Sequence, residues 1–161
     1  MRINDENMPE FLLRSRFLIA LAVALLLFFS GCKKAVQDIQ VSALQRYFEQ
    51  EILNRTYIVD LASDNGTDKT QDFSGYQFIL TKTNSYTDGP MIGYRNSDTI
   101  RGTWTSNEDY GFLTIDLNTP VPPSSFSFIN RKWRFVRKEI PVMQLAPWGT
   151  TDPKVLNMRR L

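Results

Sequence analysis

From Arg55 onward the chain alternates apolar and polar residues with a period of two, in short runs cut apart by turn signals. This pattern limits the fold more than any other feature. A period of two places successive side chains on opposite faces of a strand, so each run can bury one face and solvate the other. Tyr57, Val59 and Leu61 alternate with Thr56, Ile58 and Asp60. Tyr76, Phe78 and Leu80 share a face in 75–81, and Ile100, Gly102 and Trp104 share one in 99–105. In 111–117, Leu113, Ile115 and Leu117 oppose Phe112, Thr114 and Asp116. In 132–139, Trp133, Phe135 and Arg137 oppose Arg134, Val136 and Lys138. Shorter extended runs follow from 91–95, 142–145 and 155–161. Ser63-Asp64-Asn65-Gly66, Asp88-Gly89-Pro90 and Asp152-Pro153 read as turns. Thr119-Pro120-Val121-Pro122-Pro123 reads as a loop, because proline has no N–H to give a ladder. Residues 124–131 read as a short turn or helical piece. About eight short strands at this spacing predict a mainly β domain, a sandwich or a barrel.

One helix precedes the strands. In 36–53 the apolar residues Val36, Ile39, Ala43, Leu44, Tyr47, Phe48 and Ile52 recur at spacings of three and four. They form one face, and Gln37, Asp38, Gln45, Glu49 and Glu51 form the other. The polar face is not rich in Lys or Arg, as membrane-lying helices usually are. The spacing therefore predicts a helix packed on the domain.

The beginning of the chain reads as an address. Phe17 to Phe29 is an unbroken apolar run of 13 residues. That is shorter than the roughly 17–25 residues needed to span a bilayer, and it matches a signal-peptide apolar region. Either Met1 or Met8 can be the start. Phe29-Ser30-Gly31-Cys32 resembles the lipobox of bacterial lipoproteins, in which the leader is cut before the Cys and the Cys is acylated, for instance with palmitate. The resemblance implies that 1–31 are removed, that Cys32 carries the lipid, that 32–35 form a short tether and that 36–161 form the domain. Lys33 after the Cys implies the outer rather than the inner membrane, and the lack of an acidic cluster in Lys33-Lys34-Ala35 points to its periplasmic side. Two or more acyl chains anchor stably where one does not.

Composition removes several classes of chemistry. The 161 residues hold no His and one Cys. A Ser-His-Asp triad, a Cys-His pair, imidazole metal ligands and an internal disulfide are therefore out of reach. With Cys32 spent on lipid, the chain reads as non-enzymatic, without cofactor or metal. Asp60, Asp64, Asp68 and Asp72 recur every four residues, not at the alternate positions of a calcium loop, and read as turn and solvent residues. Asn65-Gly66-Thr67 matches a glycosylation acceptor but reads as a turn.

The order of these elements also resembles the small lipocalin-like lipoproteins of Bacteroidetes bacteria. The resemblance rests on the leader and Cys32, the short helix, Tyr57-x-Val59, the hairpin Asp64-Asn65-Gly66-Thr67-Asp68, Asp72-Phe73-x-Gly75-Tyr76-x-Phe78, Gly102-Thr103-Trp104 and the Trp133 strand. Asn54-Arg55-Thr56-Tyr57 stands where such proteins commonly have Gly-x-Trp. The resemblance implies a lipocalin-like antiparallel β-barrel or half-open barrel of about eight strands, with room for an apolar cavity.

Two surfaces are candidates for function. The chain carries 11 Phe, six Tyr and three Trp, and many of them fall on strand patterns. Tyr57, Tyr76, Phe78, Trp104 and Trp133 are the candidate lining of a site for a small apolar or amphipathic ligand. The alternative is an interior filled by these side chains. The net charge of +2 hides an uneven distribution. Residues 60–116 hold nine acids against four bases, and 131–161 hold eight bases against two acids. Arg131, Lys132, Arg134, Arg137 and Lys138, interleaved with Trp133 and Phe135, are candidate contacts to an anionic surface. Such interleaving also suits single-stranded nucleic acid, a partner that a membrane-anchored envelope protein rarely meets. Two functions compete: a ligand-binding barrel anchored in the outer membrane, and an interaction subunit docked on another envelope protein or an anionic surface.

Overall fold

The computed structural model describes residues 36 and 38–161. The expected leader 1–31, the lipobox and the tether 32–35 lie outside the described residues. Of the expected 36–53 helix, residues 36 and 38–42 are helical and belong to an N-terminal unit that ends at Ser42. Val36 and Ile39 there are exposed. The second unit, Ala43–Leu161, contains every strand.

That unit begins with helical residues 43–47 and a wider π-helical turn, Phe48–Ile52, closed by the Leu53 N–H donating to the Phe48 carbonyl at 3.0 Å. Nine strands follow: β1 (Thr56–Asp64), β2 (Thr67–Asp68), β3 (Gln77–Leu80), β4 (Asp88–Arg95), β5 (Asp98–Thr105), β6 (Phe112–Thr119), β7 (Lys132–Arg137), β8 (Val142–Pro147) and β9 (Lys154–Arg160). All pairings are antiparallel between chain neighbours, except that β1 pairs with β3 and also closes on β9. The closing register runs from Tyr57 opposite Arg160 to Asp64 opposite Lys154. Eight strands thus form a closed barrel, and β2 is a short extension of the β1 hairpin. The fold is mainly β, with one short helix before the strands, and no half-open edge remains between β1 and β9.

The alternation read from sequence places the interior correctly for most strands. Phe78, Leu80, Ile100, Trp104, Leu113, Ile115, Leu117 and Trp133 face inward and are buried, and so do Leu145, Leu156 and Met158, in runs whose faces the pattern did not assign. β1 departs from the expected pattern after Val59. A bulge between Val59 and Leu61 adds one residue opposite β9, so Leu61 turns outward and Ala62 turns inward. The Asp88-Gly89-Pro90 segment, read as a turn, is the first part of β4. Gly89 explains the difference, because a Cβ there would lie 2.0 Å from the Thr81 carbonyl oxygen. Only glycine allows that close approach of backbones. The Asn65-Gly66 turn is present as expected, with φ of 52° and 79°, the conformation of a tight hairpin turn.

Both mouths of the barrel are stoppered. At one end, Phe48 packs on Trp104 and Tyr110, with ring centroids 5.5 and 4.2 Å away. Ile52 and Leu53 are buried beside it. At the other end, the 3-10 turns Thr70–Phe73 and Ser124–Ser127 carry Phe73, Phe126, Phe128 and Ile129 over the opening. Phe126 lies edge-on to Tyr76 at 5.0 Å, and Phe128 lies 5.7 Å from Trp133. Three of the large interior aromatics give their polar atoms to these stoppers or to the adjoining loop. The Tyr57 hydroxyl donates to the Glu51 and Ile52 carbonyls, and the Trp133 indole N–H donates to the Ile129 carbonyl at 2.9 Å. The Trp104 indole N–H donates to the Thr81 carbonyl at 2.6 Å. A buried N–H or O–H without a partner costs about 1–3 kcal/mol, so these bonds tie the barrel to its ends.

Candidate functional site

The five residues expected to line an apolar site lie together inside the barrel. Tyr57, Phe78, Trp104 and Trp133 have no accessible surface, and Tyr76 retains 2%. A side chain with no accessible surface borders no space wide enough for a water molecule. Their rings pack on each other and on the stoppers instead: Tyr76 on Phe78 at 6.2 Å, Phe78 on Phe126 at 6.1 Å, Phe48 on Trp104 at 5.5 Å. Met91, Met143 and Met158, whose flexible side chains suit irregular gaps, are buried in the same core cluster. The cluster is a solid core in this state, and any guest must displace one of its own side chains. Burial pushes the Tyr57 hydroxyl pKa far up, despite the nearby Arg160.

The basic strand β7 is divided by its neighbours. Arg131 is turned back on the chain: its guanidinium donates to the Phe128 and Ser127 carbonyls and lies over the Phe128 and Trp133 rings. Arg137 is paired with Glu139. Lys138 covers the Phe135 ring and reaches the Asp109 carbonyl, and burial lowers its pKa. Two of the five bases remain on the outer face. The Lys132 ammonium sits 3.8 Å from the Phe112 ring centroid and 4.4 Å from that of Trp148. Arg134, one pleat along and opposite Phe112 and Ala146, is exposed. Phe112 and Trp148 meet edge to face at 5.2 Å, and Trp148 is 42% exposed. The outer face of β6–β8 is therefore a small aromatic and cationic patch. Sequence periodicity found its bases but placed Phe112 only on the strand face opposite Leu113, without assigning that face to the outside, and it did not single out Trp148.

The acidic repeat does not gather three carboxylates around one point among the described residues. Asp60 pairs with Arg159 at 2.9 Å, and Asp64 with Lys154 at 3.0 Å. The Lys154 bond is the main cause of a lowered Asp64 pKa. The Asp68 carboxylate accepts from the Thr70 N–H and hydroxyl, which lowers its pKa. Asp72 borders an open groove of about 370 Å³ with Asp64, Lys69, Ser124, Ser125 and Arg131.

A second open groove, of about 580 Å³, lies at the same end of the barrel, between the β4–β5 hairpin and the proline-rich loop. Arg95, Arg101, Ser97, Thr99 and Tyr76 border it; of these the sequence patterns marked only Tyr76 as functional, and as part of an interior lining.

Comparison with known proteins adds little beyond this geometry. No family model matches the chain, and no curated protein matches it. Among solved structures, a DUF4847 family protein from Bacteroides vulgatus, with 17% sequence identity, aligns with a TM-score of 0.48. The alignment covers 69% of this chain and 95% of that one.

Proposed function

We propose that this chain is a lipid-anchored, non-enzymatic protein of the bacterial cell envelope, whose barrel is a solid scaffold that works through its outer face. The observation that favours this over a carrier role is the filled interior, stoppered at both ends. In this reading Cys32 holds the chain in the outer membrane on the periplasmic side. The patch of Lys132, Arg134, Phe112 and Trp148 then meets anionic lipid headgroups. Trp at an interface and Lys or Arg with a long apolar stem suit that boundary, where one end of a side chain is apolar and the other wet. Each base near such a surface contributes about 1 kcal/mol. The absence of His and the pairing of Asp60 and Asp64 with bases speak for a binding role rather than catalysis.

Two measurements test the proposal. Labelled palmitate is expected to enter the chain in cells and to be lost in Cys32→Ser. The chain without its first 32 residues, lacking both the apolar leader and the anchor, is then expected to sediment with vesicles containing phosphatidylglycerol but not with phosphatidylcholine alone. Binding should fall several-fold in the Lys132→Gln/Arg134→Gln double variant. Crosslinking in cells to one discrete protein, abolished by Arg134→Glu, with no vesicle binding, would replace the lipid surface by an envelope protein as the partner.

A further inference from the structure

The groove beside Tyr76 has the chemistry of a binding site that neither the barrel interior nor the β7 patch accounts for. It is an open cleft of about 580 Å³, within the range of about 300–1,000 Å³ typical of small-molecule sites. Its walls come from the end of the β4–β5 hairpin (Arg95, Ser97, Thr99, Arg101) and from Pro120, Val121 and Pro123 of the loop after β6.

Three features set it apart from ordinary surface. First, the Arg95 guanidinium lies over the Tyr76 ring, 4.3 Å from its centroid. Gly75, at φ +78°, leaves room for the arginine stem, because a Cβ there would lie 3.3 Å from Arg95 Cδ. The ring holds the guanidinium in place, and its N–H groups make no hydrogen bond among the described residues, which leaves them to an oxyanion. Second, neither Arg95 nor Arg101 forms an ion pair among the described residues, whereas Arg137, Arg159, Arg160, Lys82 and Lys154 all do. Third, the Tyr76 hydroxyl makes no protein hydrogen bond among the described residues and keeps contact with solvent, since Asn157 Oδ1 is the one fully enclosed side-chain polar atom there without a partner. The hydroxyls of Tyr57, Tyr94 and Tyr110 each find an acceptor. The groove thus gathers two uncommitted guanidinium groups and the hydroxyls of Tyr76, Ser97 and Thr99, all able to donate.

Asp98 is the one carboxylate of the lining and the only strong acceptor there. It disfavours a bare anion and favours one that brings hydroxyl groups to donate. Pro120, Val121 and Pro123 offer an apolar wall, and Val121 is 92% exposed. A sugar ring carrying a phosphate or a carboxylate combines these demands: an oxyanion for the arginines, hydroxyls for Asp98 and an apolar C–H face for the prolines. We propose that this groove binds an anionic monosaccharide, with Arg95 and Arg101 holding its phosphate or carboxylate.

Calorimetric titration of the full-length chain in a neutral detergent tests this, with glucose 6-phosphate, glucuronate, glucose and inorganic phosphate as separate probes. At least one of the two acidic sugars is expected to bind, and at least tenfold more tightly than glucose or inorganic phosphate. Arg95→Gln and Arg101→Gln should each weaken it by tenfold or more, while Arg55→Gln, at an exposed residue that bonds the Gln50 carbonyl and does not border the groove, leaves it unchanged. Arg101 is exposed, so its variant keeps the fold if Arg95→Gln does not. Four results would overturn the proposal: no heat from either acidic sugar, equal affinity for inorganic phosphate, equal affinity for glucose, or equal loss in Arg55→Gln.

Discussion

The Phe48 ring lies on the Tyr110 ring with centroids 4.2 Å apart and planes 21° from parallel. This one contact joins the helical turn that enters the domain to the loop between β5 and β6. Tyr110 reaches it from a left-handed backbone, at φ 49°, where a bulky residue is rare. Its hydroxyl donates to the Tyr86 carbonyl at 2.8 Å, which holds the ring over the mouth of the barrel. Local conformational cost is thus offset by closing the end of the barrel.

Removing the stopper ring is expected to be expensive. Phe48 is 3% exposed and touches Trp104, Tyr110 and Phe135. Phe48→Ala should lower stability by about 3–5 kcal/mol, the usual cost of truncating a buried Phe. Urea unfolding followed by Trp fluorescence measures it. The same variant opens the mouth above Trp104, so acrylamide quenching of that fluorescence should increase.

Alkaline pH should weaken the same closure. Burial is the main reason that the Tyr110 pKa is pushed up to about 12, from its ordinary value near 10. The folded state therefore holds this proton more tightly than the unfolded state. The stabilisation is whole below pH 10 and is lost as pH rises through 12. Tyr110→Phe removes both the titration and the bond to Tyr86. At pH 7 the variant should be less stable by about 0.5–1.5 kcal/mol, the usual value of one hydrogen bond. Melting temperatures measured from pH 9 to pH 12 should show that difference shrinking.

Two glycines separate steric need from backbone conformation. A Cβ on Gly102 would sit 1.8 Å from the Asp116 carbonyl oxygen, at the bulge where β5 meets β6. Gly102→Ala must push two paired strands apart, and the chain is expected to lose most of its cooperative unfolding transition. Gly66, at φ +79°, has nothing within 4 Å of such a Cβ. Gly66→Ala should cost only about 1–2 kcal/mol, the left-handed penalty for a residue with a side chain. Parallel denaturation curves check both.

The stopper at the far end predicts a similar contrast within five residues. Phe126 is fully buried against Phe73, Tyr76 and Phe78, and Val121 is 92% exposed. Phe126→Ala should cost about 3–5 kcal/mol. Val121→Ser should stay within about 0.5 kcal/mol of the parent. Equal effects in thermal melts would mean that this loop does not close the barrel.

The strands were legible because burial on one face of a sheet imposes a period of two on each strand separately. Tyr57, Phe78, Trp104, Leu113 and Trp133 could be assigned inward from their immediate neighbours alone. The reading failed where a distant segment intervenes. Leu61 faces out because β9 meets β1 across an extra residue, and Asp88-Gly89-Pro90 joins a strand because Gly89 lies against Thr81. The bases of 131–138 were legible as a cluster. Which of them stay available was not, since Phe128, Glu139 and Asp109 take up Arg131, Arg137 and Lys138.

Taken alone, the order of residues determined the β class, the preceding helix, the interior set of aromatics and the chemistry that no His and one Cys exclude. Those properties depend on periodicity and composition, which are local or additive. Only the tertiary structure decided that β1 closes on β9, that Phe48 and Phe126 stopper the two mouths, and that Arg95 lies on Tyr76 beside an open groove. Each of these joins segments far apart in the chain, from 19 residues for Tyr76 and Arg95 to 103 for Tyr57 and Arg160. No short-range pattern encodes a contact that exists only after the sheet has curled.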